Sequence, residues 1–356
     1  MEDNDKCRVV QYDRLTSFVK ALFTKCGLSA AHAEVMAESL VFADLRDVST
    51  HGVARVKSYV DRIESGAINI RPDLKQTKSF MGTAVIDADN GPGQVAGAYA
   101  MQLAIERARL FGVSLCGVIN GGHIGALAYW SNMALQENMI GICLSNGTAI
   151  MPPWGAMGRA LGNMPMAISA PAYKKFPVVL DMAMSVTSRG RIMLAAKRGE
   201  TIPTGWALDK NGRPTTDPHE ALKGSVLPVA GYKGSGIAIM IEILCAVLLG
   251  GKLSHQCGGL APQEDRNMPL GFNNIFCAVN IENFISPDEF ARSCDRMIDY
   301  FKSLQKADGC DDVFMPGEIQ FRTAEKRKLS GISMDFKTYD ELRDVAKKYE
   351  VDFSIM

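Results

Sequence analysis

The chain has 356 residues, 47% of them hydrophobic and 22% charged, enough to bury a large core in one or two domains and to exclude extensive disorder. Lysine plus arginine and aspartate plus glutamate stand at 39 each, so no overall field draws a polyanion or an acidic membrane surface. Nucleic acid and membrane are excluded as expected partners.

Met1 to Arg8 is polar and charged, with no apolar stretch that would serve as a secretory signal. Apolar residues then recur at three- and four-residue spacing through Leu15, Phe18, Val19, Leu22 and Phe23, predicting a helix that Gly27 stops. Ser29 is placed to cap a second helix carrying Ala33, Met36, Ala37, Leu40 and Val41. Ser49 and Thr50 offer an N-cap for a third, with Val53, Val56, Tyr59, Val60 and Ile63 inside and Gly66 at its end. Three helices without strands predict a small bundle.

From about Lys78 the pattern changes to short β-rich runs between helices: 83–87, a helix over 94–111, 113–119, a helix over 126–136, and 140–145. A loop rich in proline, glycine and methionine over 148–165 precedes the runs 166–170 and 177–181. This predicts a mixed sheet covered by helices. The apolar segment 236–251 is too short to span a bilayer and carries Glu242, so it reads as a buried helix. Ser286-Pro287-Asp288-Glu289 opens a further helix through Leu304, and the last fifteen or so residues also read as helical. Helical ends around a mixed middle suggest one discontinuous helical domain, 1–77 with 285–356, and an α/β domain over 78–284. Nine cysteines without a CxxC pair or zinc-like spacing read as small buried residues of a cytoplasmic protein, with no metal indicated.

Four motifs carry chemistry. In Ser49-Thr50-His51-Gly52-Val53-Ala54-Arg55, a helix start would put His51 in the first turn and Arg55 one turn on, on the same face. An imidazole can exchange a proton near neutral pH and a guanidinium can grip a carboxylate; the same spacing suits a capping histidine beside a surface arginine. His123, in the glycine-rich turn Asn120 to Gly125, either meets a ligand or satisfies a carbonyl. Gly231-Tyr232-Lys233-Gly234, before an apolar helix, offers amides and Lys233 to an anion, or is a linker. Asp181 ends an apolar run, where α/β sheets present ligand-binding groups or cap a helix. Gly91-Pro92-Gly93-Gln94-Val95-Ala96 matches a Rossmann fingerprint superficially, but Pro92 removes an amide and Asp87 and Asp89 would face the pyrophosphate.

Taken in order, these segments resemble the malate/L-lactate dehydrogenase-like family over nearly the whole chain. The match runs from Ala43-Asp44-Leu45-Arg46 and His51 to Arg55 through Gly122-His123-Ile124-Gly125, Ser145-Asn146 with Pro153-Trp154-Gly155, Leu161-Gly162 and Asp181-Met182-Ala183. It continues through Ile202 to Trp206, Asp217-Pro218, Gly231 to Gly234, and Pro316-Gly317-Glu318. The resemblance implies an α+β protein, a helical bundle domain beside a non-Rossmann α/β domain that binds NAD or NADP. It implies a homodimer with active sites between subunits. It also implies hydride exchange with C2 of a small 2-oxo or 2-hydroxy acid, or in the alternative a cyclic imino acid. By position, His51 and His123 are the candidate acid/bases, and Arg55, with Arg46 and Thr50, contacts substrate. Ser145, Asp181, Met182, Ala183, Tyr232, Lys233, Pro316, Gly317 and Glu318 are the implied cofactor contacts. Thr50 stands where the family has serine, Met164 interrupts its Thr-Asn-Pro pattern, Met184 replaces threonine, and Arg189 and Arg191 replace alanine and lysine.

Overall fold

The computed structural model describes residues 7–259, 267–354 and 356, so the extreme polar start lies outside the described residues. The apolar periodicity of the first segment is that of α1, Tyr12–Lys25, which buries Leu15, Phe18, Val19, Leu22 and Phe23 completely. Ser29 caps α2, Ala30–Leu45, its hydroxyl accepting the His32 amide at 3.2 Å. α3 is shorter than expected, Val56–Glu64, and neither Ser49 nor Thr50 caps it. Two 3-10 turns, Ser49–His51 and Val53–Arg55, precede it, separated by extended Gly52.

The chain's far end packs on these helices. β1, Cys7–Val10, pairs antiparallel with β12, Ile332–Asp335. α10, Glu318–Ser330, and α11, Phe336–Lys348, supply Ala324, Leu342, Val345 and Ala346 to the same core. α11 ends at Lys348, short of the expected terminal helix, because Glu350 turns left-handed (φ 53°) and the chain folds back to set Phe353 edge-on against Phe18 at 5.4 Å. The helix opened by Ser286, α9, is Pro287–Ser303, and its capping hydroxyl accepts the Glu289 amide at 3.3 Å. It docks elsewhere: Asp295 receives the amides of Tyr173, Lys174 and Lys175.

The middle of the chain forms a seven-stranded mixed sheet. Its strands are β2 (Lys75–Phe80), β3 (Thr83–Asp87), β4 (Val113–Gly121), β5 (Met139–Ser145), β6 (Met166–Ala170), β7 (Val178–Met182) and β11 (Phe272–Asn280). The order is β2-β3-β4-β11-β5-β6-β7, with β3 and β4 parallel and every other pair antiparallel. A largely antiparallel sheet is incompatible with a Rossmann unit; the architecture is α+β. α4, Gly93–Phe111, and α5, Leu127–Met133, cover one face, where Trp130, Phe276 and Ile86 are buried. α5 passes into a 3-10 turn before Asn138.

α8, Tyr232–Glu242, continued by the π-turn Ile243–Val247, covers the other face. This segment is not the buried helix its composition suggests. Ala238, Ile241 and Cys245 pack on the sheet, but Tyr232, Met240 and Val247 are 65%, 54% and 60% exposed. A smaller unit joins β8 (Ala207–Leu208), β9 (Pro214–Thr215) and β10 (Ser225–Val226) to α6 (Arg189–Arg198) and α7 (Pro218–Lys223) around Ile192, Ile202 and Val226. All nine cysteines are unpaired; four are buried and Cys310 is exposed. Among the described residues no helix is long and apolar enough to cross a membrane.

Candidate active site

The local backbone around His51 is set by a buried acid. Asp44, in the last turn of α2, is 5% exposed and accepts the Val53 amide at 2.8 Å. A Cβ on residue 52 would lie 2.0 Å from its carboxylate, so only glycine lets the chain pass over Asp44. Burial pushes the Asp44 carboxyl up to about 7, against the lowering effect of the Val53 bond. His51 and Arg55 therefore sit on two separate turns rather than on one helix face, and Arg55 Nε reaches back to the Thr50 carbonyl at 2.6 Å.

His123 approaches from the sheet. Gly122 lies so close to the start of α4 that a Cβ on Gly93 would meet the Gly122 carbonyl at 2.5 Å, which holds the turn after β4 against the helix. The His51 and His123 rings stack with centroids 5.6 Å apart and planes 24° apart. His123 Nδ1 lies 2.8 Å from the Tyr59 hydroxyl and 3.3 Å from the Gly125 amide. An amide can only donate, so Nδ1 is an acceptor, the Tyr59 hydroxyl donates to it, and Nε2 carries the hydrogen of the neutral ring. His51 Nδ1 is engaged by Thr50 Oγ1 at 3.0 Å, leaving Nε2 for proton exchange.

Both imidazoles are held neutral. Burial, then the Arg55 charge, lowers His51 to about 4; burial, His51, Arg55 and Arg62 together put His123 well below the usual histidine range. The rings are close enough that a proton on one opposes a proton on the other.

These side chains line a cavity of about 780 Å3. Arg46, Thr50, His51, Arg55 and His123 form one wall, and Ser145, Asp181, Met182, Ala183, Pro316 and Gly317 meet the same space, as do Asn146, Gly147, Thr148 and Arg189. Asp181 opens to the cavity and caps α5 by accepting the Ala128 amide at 2.9 Å. The protein around it raises its carboxyl to about 6. The Ser145 hydroxyl donates to the Asn146 carbonyl at 2.8 Å and accepts from Asn274 at 2.7 Å.

Three of the expected contacts lie outside this space. Tyr232 and Lys233 are exposed at the start of α8 and do not line the cavity. Glu318 is fully buried, accepting the Met315 amide at 3.0 Å and pairing with Lys302 at 2.8 Å, so it braces the Pro316–Gly317 turn from behind. Sequence reasoning missed Tyr59, counted only as core, and gave Asp44 no task; an acid inside the apolar tail of α2 was the signal for the latter.

Comparison with known proteins matches the chain to enzymes. The malate/L-lactate dehydrogenase family matches residues 10–343. The chain is 38% identical over 347 residues to a malate dehydrogenase of Pyrococcus abyssi, covering 95% of this chain and 94% of that protein. It is 38% identical over 326 residues to an L-sulfolactate dehydrogenase of Methanocaldococcus jannaschii, covering 91% and 92% of the two chains. The solved structure of sulfolactate dehydrogenase from Methanocaldococcus jannaschii superposes with a TM-score of 0.90 at 35% identity, over 97% of this chain and 98% of that one. With sequence and fold matched from end to end, the chain belongs to the malate/L-lactate dehydrogenase family and is a dehydrogenase acting on hydroxy acids.

Proposed function

We propose that the chain moves hydride between NAD or NADP and C2 of a small 2-hydroxy or 2-oxo acid, with His51 as the group that exchanges the substrate's proton. The observation that carries this reading is the meeting of two stacked imidazoles and a guanidinium in the lining of a single large cavity.

The cavity fits a dinucleotide. Its volume falls in the range of ligand pockets, roughly 300–1,000 Å3, and its far side joins apolar surface from Met182, Ala183 and Pro316 to the polar Ser145, Asn146 and Asp181. Asn274 Oδ1, beside the Ser145 hydroxyl, is buried without a partner, an acceptor available to tune that wall. Ser145, Asp181, Met182, Ala183, Pro316 and Gly317 would hold the cofactor, with Arg189 and the first turn of α6 near its phosphates. The nicotinamide, when bound, supplies or accepts the hydride.

The protein's own residues do the rest. Arg55, its Nε tied to Thr50, presents its terminal nitrogens to the substrate carboxylate. His51 Nε2 takes the hydroxyl proton of a 2-hydroxy acid, or returns it to the oxygen in reduction. Tyr59 and Gly125 fix the His123 tautomer, so that its Nε2–H faces outward as a donor. Two copies are proposed to pair through the exposed apolar face of α8, which would also bring Tyr232 and Lys233 against a neighbouring chain.

His51→Gln should lower turnover of malate or lactate by about 10²–10⁴-fold while leaving NADH binding, read by fluorescence, intact. Unchanged turnover would take His51 out of the proton-transfer role.

A further inference from the structure

Behind the wall that carries Ser145 lies a buried acid that the reaction as proposed leaves unused. Glu242, the last residue of α8, is 7% exposed and is followed at once by the π-turn Ile243–Val247. Three neutral donors hold its carboxylate: the Ser254 amide reaches Oε1 at 2.6 Å, and the Ser254 hydroxyl and Asn146 Nδ2 reach Oε2 at 3.1 Å and 3.3 Å. An acid buried this deeply opposes folding unless its oxygens are bonded, and a widened helical turn is a feature that recurs at functional sites.

Asn146 is held on every side. Its Oδ1 accepts the Asn273 amide at 2.8 Å and its own amide donates to the Asn273 carbonyl at 3.1 Å, which locks it to β11. A backbone amide only donates, so the Asn146 NH2 must face the other way, where it is shared between Glu242 and the Lys252 carbonyl, the latter at 3.0 Å. A carboxylate can accept from the Ser254 amide and the Asn146 NH2 together, whereas a glutamine in its place would set one NH2 against another. Asn146 in turn lines the cavity beside Ser145, Gly147 and Thr148, and its carbonyl takes the Ser145 hydroxyl at 2.8 Å.

We propose that Glu242 is a positioning residue for the dinucleotide: acting through Asn146, it fixes the chain that leaves β5, Ser145 to Thr148, in the form that receives NAD or NADP. This rests on the cofactor placement given above, and it gives the buried side of α8 a task.

The test is NADH affinity by fluorescence titration, with melting temperature and steady-state kinetics on the same preparations. The proteins are wild type, Glu242→Gln, Asn146→Asp and the double variant that carries both changes. Glu242→Gln opposes two donors and Asn146→Asp opposes two carboxylates, so each should weaken NADH binding by about tenfold or more. The double variant sets an NH2 on residue 242 against an oxygen on residue 146 and should return affinity to within about threefold of wild type. In Glu242→Gln the cofactor KM should rise at least about threefold more than the KM of the acid substrate. Glu242→Asp, which keeps the charge but draws it back by one methylene, is the milder probe where a single variant does not fold; it should weaken NADH by about threefold or more. Variants that melt earlier yet bind NADH like wild type would make Glu242 a structural support and overturn the proposal. Weakened single variants with no recovery in a folded double variant would break the route through Asn146 and overturn it as well. Wild type that binds neither NADH nor NADPH would sink the cofactor placement itself, and this inference with it, before any variant is made.

Discussion

His51 meets neutral pH already deprotonated, because burial and the Arg55 charge hold it at about 4. The sign of the consequence is fixed: oxidation needs the base form, so the limb of kcat/KM for a 2-hydroxy acid that belongs to His51 should lie below about pH 5, distinct from any step that Asp181 or Asp44 contributes at about 6 and 7. There kcat/KM should fall as pH drops through the pKa of the free enzyme. Arg55→Met removes a positive neighbour and should move that acid limb upward, because the imidazolium then loses a repelling charge. A limb near the ordinary histidine value in wild type would mean the ring is solvated in solution. His51, Arg55 and His123 were readable as chemistry because each stands beside a turn signal, glycine or a capping hydroxyl, close in the chain. Tyr59 was not, since its hydroxyl finds His123 across 64 residues and its local pattern is that of a core position. Nor could spacing say that Lys233 would stay outside the cavity that Arg189 joins.

At the level of elements, the passage over Asp44 is the most exacting piece of backbone. Gly52→Ala would force the new methyl into the carboxylate, and the turns bearing His51 and Arg55 must move to relieve it. A loss of about 1–3 kcal/mol is expected from such overpacking, with turnover lowered by at least about tenfold through misplacement of the proton-exchanging ring. Urea melts and kcat measured on the same preparation would check it; a variant with native turnover would show that the segment tolerates the shift. Periodicity found α1, α2 and α4 closely because each has a clear apolar face or clear caps. β11 escaped because its Asn273 and Asn274 are buried polar residues inside a strand hydrogen-bonded on both sides, so no alternation marks it. β2 escaped for the opposite reason, being exposed along its whole length. α8 was misread since a helix apolar all round announces burial without saying what covers it.

For the molecule as a whole, that uncovered face is the largest question its surface poses. Tyr232, Met240, Ile243 and Val247 recur on one side of α8 and its π-turn, opposite the residues that pack on the sheet. Under the proposed pairing of two copies, Met240→Lys with Val247→Lys should convert a dimer to a monomer in light scattering, with activity falling if the site is shared. A mass unchanged by both charges would move the pairing surface elsewhere. The order of helical and β-rich segments announced a helical bundle and a mixed sheet covered by helices, whereas the strand order was hidden, because hydrogen-bonded neighbours need not be neighbours in the chain.

β11 also governs when the protein can come into being. The strand that joins β4 to β5 lies more than a hundred residues beyond either in the chain, and Ile275 must find both Gly117 and Leu144. During synthesis the first six strands of this sheet leave the ribosome as two unjoined pieces, with a gap where their shared partner belongs. Closing loops of that length makes assembly slow and leaves open edges exposed to other nascent chains until residue 280 has emerged. A chain interrupted before that point has no completed sheet on which to build an enzyme.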